Sequence, residues 1–257
     1  MPRSTFRKAG PNAPLGYFAW EAAGLRWLAA APHGARVVDV VEAGEDELVL
    51  ARLDATAPTR ADAAAFGAAL AATHAAGAPA YGSPPEGWRG DGWLGPLSEP
   101  LPLQLDPKPT WGEFYAHERL EPMLRHGRDI GIYDDAAGAL FEKVAARVGS
   151  GELDTGEPAS RLHGDLWAGN IVWTTDGGVL IDPAAHGGHR EADLAFLVMF
   201  GAPHLDAILG GYAGHAPLAD GWRERVTLHQ LHPLMLHAVL FRGGYVAQSL
   251  AVARRWA

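Results

Sequence analysis

Two acids and an amide stand at a spacing that suits chemistry on a phosphate. Asp165 and Asn170 lie five positions apart in Arg161-Leu-His163-Gly-Asp165-Leu-Trp167-Ala-Gly-Asn170, and Asp182 follows twelve positions later in Val-Leu-Ile-Asp-Pro183. Between them, Ile171-Val-Trp173 and Val179-Leu-Ile181 flank Thr174-Thr-Asp-Gly-Gly178, a hairpin signature with Asp-Gly in the turn. The hairpin returns Asp182 to the end of the loop that carries the other two. The Asn170 amide and the Asp182 carboxylate are hard oxygen ligands suited to Mg2+, which keeps waters and phosphate oxygens in its shell. Asp165 is then left to accept a proton from a substrate hydroxyl. Phosphoryl transfer requires this division of labour: a metal neutralises phosphate charge while a carboxylate orients the attacking oxygen. An alcohol is far too weak an acid to be deprotonated beforehand by an Asp of pKa about 4, so Asp165 is expected to orient the hydroxyl and take its proton late. Taken singly, each residue reads as a turn or cap residue. The ordered set, with His163 and Leu166, matches H-x-D-L-x-x-x-N plus a downstream metal Asp at every fixed position.

The elements that must position these groups are mixed at first and helical later. Residues 18–31 read as a helix with Phe18, Ala22, Leu25 and Leu28 on one stripe and Pro32 beyond its end. Strands are expected over 36–41 and 47–50, around the turn-like Ala43-Gly44-Glu45-Asp46. Thr59-Arg-Ala-Asp62 resembles a capping box opening an Ala-rich helix. A lobe boundary is expected near Thr56, where strands give way to helices. Residues 78–109 are rich in Gly, Pro and Trp and read as a long ordered loop. Helices follow at about 111–127 and 134–148, and everything after Arg190 reads as helical. Alternating βαβ units are not visible, which disfavours a Rossmann sheet.

Composition narrows the function classes. Of 257 residues, 48% are apolar and 20% charged, a globular rather than a disordered balance. The chain has no cysteine, which excludes disulfides, thiolate metal sites, iron–sulfur clusters and thiol catalysis. Its net charge of -9 disfavours nucleic acid and anionic membrane surfaces as partners. Residues 63–85 lack formal charge but are interrupted by His74, Pro79 and Pro84, so a membrane span is not expected. Arg3, Arg7 and Lys8 are followed by Pro11, Asn12 and Pro14 rather than an apolar run, and no signal peptide is expected. A cytoplasmic enzyme or binding protein is the reading. Among twelve histidines, His186-x-x-His189 with Glu191 and His229-x-x-His232 with His237 are zinc candidates, but core or cleft histidines are the favoured reading.

The run from His163 to Asn170, with Asp182-Pro-Ala-Ala-His-Gly-Gly-His-Arg-Glu191-Ala-Asp193-Leu-Ala, resembles the fructosamine kinase (ketosamine-3-kinase) family. Gly92-Trp-Leu-Gly-Pro-Leu97, Trp111-Gly-Glu-Phe-Tyr115 to Arg119-Leu120, and the end from Gly221-Trp-Arg-Glu-Arg225 to Gly243-Gly-Tyr245 carry the same resemblance. It implies an α+β, bilobal, protein-kinase-like fold of the aminoglycoside-phosphotransferase type, with a mainly helical C-lobe. The implied reaction is ATP-dependent phosphorylation of the sugar 3-hydroxyl of fructosamines or ribulosamines, which leads to deglycation of small amines or proteins. By the same resemblance Asp165 is the catalytic base, Asn170 and Asp182 are the Mg2+ ligands, His163 braces the loop, and Asp193 holds its backbone. Lys8 on a strand, paired to Glu21 in the first helix, would face the ATP phosphates. Leu50, Ala51 and Leu53, in the strand and hinge over 48–53, would lie beside adenine and bind it through main-chain groups.

This chain also departs from the family. Relatives carry two strands joined by a glycine-containing loop before the lysine, whereas seven residues without a glycine precede Lys8. A truncated nucleotide-binding lobe over 1–56 is therefore expected, with an exposed sheet edge, followed by a catalytic and acceptor lobe over 57–257. Ala168 and His186 replace the usual Ser and aromatic hydroxyl. Two alternatives stay open: a kinase for another small hydroxylated acceptor, such as an aminoglycoside or choline-like compound, and a nucleotide-binding pseudokinase.

Overall fold

The computed structural model describes residues 4–10 and 12–257; Arg3 and Pro11, used above to read the terminus, lie outside them. In chain order the first elements are β1 (Thr5–Ala9), α1 (Tyr17–Ala29), β2 (Arg36–Val37), β3 (Val40–Ala43), β4 (Glu47–Ala51) and α2 (Arg60–Ala75). Next come β5 (Gly92–Leu94), β6 (Leu101–Leu103), α3 (Trp111–Phe114), a π-helical stretch Tyr115–Leu120, α4 (Glu121–Asp129) and α5 (Asp135–Gly149). The segment that carries the candidate site residues contributes β7 (Ser160–Leu162), β8 (Ile171–Thr174), β9 (Gly177–Leu180) and β10 (His186–Gly188). Helices close the chain: α6 (Glu191–Phe200), α7 (Leu205–His215), α8 (Trp222–His229), α9 (Leu231–Phe241) and α10 (Gly244–Trp256).

The fold is α+β with two lobes. In the N-terminal sheet, ordered β1-β4-β3, the strands pair antiparallel and Lys8 lies opposite Leu48. One edge of β1 has no strand neighbour among the described residues, the open edge expected from the sequence. The stripe of α1 is fully buried: Phe18, Ala22 and Leu25 pack against Val38, Leu48, Leu50 and Val179, and Leu28 packs against Ala185. The strand expected over 36–41 is divided. Its start, β2, pairs parallel with β9 of the catalytic hairpin, while β3 joins β4 across a bulge between Val40 and Glu42. One apolar run thus stitches two sheets together, and periodicity alone cannot show where a strand changes partner.

Helix α2 starts at the expected capping box, with Thr59 and Asp62 satisfying each other's backbone N–H groups. It lies so close to α7 that a Cβ at Gly67 or Gly211 would sit 2.0 Å from a backbone oxygen of the other helix. The long loop expected over 78–109 in fact contains the hairpin β5–β6. Each of its strands has only three residues, and Pro102 sits within one, so strand signals are too short to read there. The pair β7–β10 escaped the sequence for the same reason. Two cores support the C-terminal lobe. The larger joins Trp111, Phe114, Leu120, Phe141 and Val144 to Leu231 and Met235. The second, with Phe66, Leu70, Leu166, Leu180, Leu194 and Tyr212, lies directly beneath the catalytic loop. Among the described residues no helix is long and apolar enough to cross a membrane.

Candidate active site

Strand β7 delivers the chain into a loop that ends in a short 3-10 turn, Ala168–Asn170, before β8 begins. Leu166 is fully buried and pins the loop to the core, which explains the apolar residue after Asp165. Gly164 has φ +83°, and a Cβ there would meet the Ala184 carbonyl oxygen at 2.1 Å, so only glycine fits. The Asn170 amide nitrogen donates to the Asp165 carbonyl oxygen at 2.8 Å and to Asp165 Oδ2 at 3.0 Å. This fixes the Asp165 side chain through Oδ2 and leaves Oδ1 out of the Asn170 contact. Burial pushes Asp165 up to about 6; Asn170 opposes that shift and the charges of Asp182 and Asp193 add to it.

His163 sits beneath. Its Nε2–H donates to the Ile181 carbonyl at 2.8 Å, and Nδ1 accepts the Asp165 N–H at 3.2 Å. A carbonyl only accepts, so this tautomer is forced, and burial holds the ring's pKa below its ordinary value. Asp193, at the start of α6, accepts the N–H groups of His163 (2.8 Å) and Gly164 (2.9 Å). Its Oδ2 also takes Nε2–H of His74 at 3.1 Å, and His74 Nδ1 lies 2.8 Å from the Tyr212 hydroxyl. Burial alone would raise the Asp193 pKa, but these bonds, above all that from His74, hold it below the ordinary carboxylate range. The brace from α7 through α2 to the loop was not legible. No local pattern links His74 to a residue 119 positions away.

The returning hairpin places Asp182 at the mouth, in a left-handed conformation (φ 52°) that Asp tolerates better than most residues. From the other lobe, Lys8 Nζ donates to both Glu21 oxygens at 2.8 and 2.7 Å and to Asp182 Oδ1 at 3.1 Å. Burial disfavours its charge, but Glu21 and Asp182 more than reverse this and raise its pKa. One cavity of about 560 Å³ is lined by Lys8, Glu21, Asp165, Asn170 and Asp182 together. Trp93 lines it as well, with Tyr17 and Leu97, which were not singled out as site residues from the sequence. Leu50, Ala51 and Leu53 do not line it. Leu50 is buried in the sheet, and the Ala51 N–H is already given to the Asp39 carbonyl at 2.9 Å.

The donor set suits Mg2+. With its nitrogen committed to Asp165, the Asn170 amide keeps its oxygen for the cavity, and Asp182, 43% exposed, keeps Oδ2. Neither zinc grouping read from the sequence assembles. The structure instead gathers His189, Glu191 and His229, whose ligand atoms lie within 4.8 Å of one another. Both Glu191 oxygens are held by Arg225, at 2.9 and 2.6 Å, and that guanidinium repels a cation.

Comparison with known proteins follows the same line. The fructosamine kinase family profile matches residues 2–255. A probable ketoamine kinase of Enterococcus faecium is 31% identical over 252 residues, covering 96% of this chain and 85% of its own length. A fructosamine-3-kinase candidate from Thermobifida fusca superposes with a TM-score of 0.89 at 44% identity, covering 98% of this chain and 85% of that one. An aminoglycoside phosphotransferase solved with AMP-PNP and hygromycin B has a TM-score of 0.64 at 16% identity, covering 100% of this chain and 88% of its own, and shows the shared fold. On the family match across nearly the whole chain, this protein belongs to the fructosamine kinase family.

Proposed function

We propose that this protein transfers the terminal phosphoryl group of Mg2+-ATP to the 3-hydroxyl of the sugar in a fructosamine or ribulosamine. The observation that carries the reading is the convergence of Asp165, Asn170, Asp182 and the Lys8–Glu21 pair on one cavity. Residues 1–56 would serve as the nucleotide lobe and 57–257 as the catalytic and acceptor lobe. Asn170 and Asp182 would hold Mg2+, which when bound neutralises phosphate charge. The chain's own residues do the rest. Lys8, kept charged by Glu21, meets phosphate oxygens as a fixed cation. Asp165, clamped by Asn170, orients the acceptor hydroxyl toward phosphorus. As the new P–O bond forms and the bond to the leaving ADP oxygen breaks, the hydroxyl proton passes to Asp165 and then to solvent. His163 and Asp193 act by positioning the loop. A cytoplasmic setting, where ATP is available, belongs to the same proposal. Deglycation would follow from the lability of the 3-phosphate.

A coupled assay for ADP release over a panel of fructosamines, ribulosamines and an aminoglycoside tests this, with the product examined by 31P NMR. Turnover on ketoamines with one ADP per ketoamine phosphate is expected. Turnover on the aminoglycoside alone, or nucleotide binding without turnover on any acceptor, contradicts it.

A further inference from the structure

The catalytic cavity has two chemically different ends. Of the charged side chains that line it, Lys8, Glu21 and Asp182 form one bonded group and Asp165 is bonded to Asn170, whose amide also reaches the Asp182 carbonyl at 3.4 Å. Tyr17 lies among these charges, and beyond Asp165 the lining loses its charges and is built of rings. Trp167 lies 6.4 Å from Phe200, Phe200 5.2 Å from His237, and His237 5.5 Å from Phe241 and 5.0 Å from Tyr245, centroid to centroid. Leu236 and Leu240 fill in between, and among the described residues no charged side chain lines the cavity at this end.

These rings are unusually exposed. Trp167 is 43%, Phe200 41% and Phe241 59% accessible, and they make up half of the six exposed large apolar side chains among the described residues. Apolar side chains gathered on one cleft wall, continuous with the reacting groups, mark a ligand surface rather than leftover core. The His237 ring carries no charge there. Its Nδ1–H is given to the Pro233 carbonyl at 2.8 Å, and burial holds its pKa below the ordinary value.

We propose that this aromatic shelf binds the substituent on the acceptor's amine, and that it selects uncharged aryl or branched-alkyl substituents over cationic ones. The inference rests on the phosphotransfer reading above and names the acceptor class within it. A polycationic acceptor would have to desolvate its ammonium groups against leucines and rings without one carboxylate partner at this end, whereas an aryl group gains contact with at least three rings.

The test uses fructosamines that share one sugar and differ in the amine substituent: methyl, benzyl, 5-aminopentyl and 2-(trimethylammonio)ethyl. Benzyl is expected to exceed methyl in kcat/KM by about tenfold or more, mainly through KM, because the contact is made in ground and transition states alike. The two cationic substituents should do no better than methyl. Phe241→Ser should bring the benzyl-to-methyl ratio toward one without changing the Kd of Mg2+-ATP. Phe241→Asp should invert the order in favour of 5-aminopentyl. Both changes fall on an exposed side chain, so folding is retained. Equal kcat/KM across substituents, or a wild-type preference for either cation, overturns the shelf while leaving the kinase reading intact. Absence of turnover on every ketoamine overturns both.

Discussion

Lys8 lies between Glu21 and Asp182, and among the described residues no other cationic side chain lines the cavity. Replacing it with Met keeps most of its bulk and removes the charge. One charge-assisted contact is worth about 1.5–3 kcal/mol, so Lys8→Met should weaken Mg2+-ATP binding by about tenfold or more in calorimetry. An unchanged Kd would mean that Lys8 faces no phosphate. The pairing of Lys8 with Glu21 was legible only through the family resemblance, because a lone lysine near a terminus otherwise reads as a solvated charge. The loop residues from His163 to Asn170 were legible as chemistry because hydrogen-bond reach across a tight loop demands fixed spacing. His74 and Tyr212 were not, since their contacts are made between elements far apart in the chain.

At the scale of elements, the loop after β7 is held by three devices: the buried anchor Leu166, the backbone grip of Asp193, and the left-handed Gly164 packed on Ala184. Gly164→Ala forces a strained φ and a steric overlap together. It should cost about 2–3 kcal/mol or more, read from urea denaturation, and lower kcat by displacing Asp165. Stability within about 0.5 kcal/mol of the parent protein would show that the loop can shift freely. The elements that the sequence reveals include those with several turns of period or a strong turn signal: α1, α2 with its cap, α5, and the β8–β9 hairpin. The unread strands hid for physical reasons. β5, β6, β7 and β10 have three residues each, too few to establish alternation, and β2 takes its partner from a different lobe.

Across the whole molecule, folding encloses His163, His186, His189, His229 and His232 and holds each pKa below the ordinary value. Burial is the leading cause in every case, and His186, facing the charge of Arg119 as well, is pushed down to about 3. Below pH 6.5 the unfolded chain takes up protons on these rings more readily than the native protein does. Stability therefore falls as pH drops from 6.5 toward 3, by about 1.4 kcal/mol per pH unit for each ring that stays neutral. Guanidinium unfolding between about pH 7.5 and 5 should show the loss, with a shallower slope for His186→Gln; a flat profile would contradict it. The two lobes, finally, have one purpose in this account, which is to bring a charged phosphate-binding pair to an aspartate that takes a hydroxyl proton. Rapid-quench single turnover with γ-labelled ATP and a ketoamine, comparing the parent protein with Asp165→Asn, tests this most directly. Transfer should slow by roughly 10²–10⁴-fold while the Kd of Mg2+-ATP stays the same. Label reaching the ketoamine at the parent rate in Asp165→Asn would contradict the account.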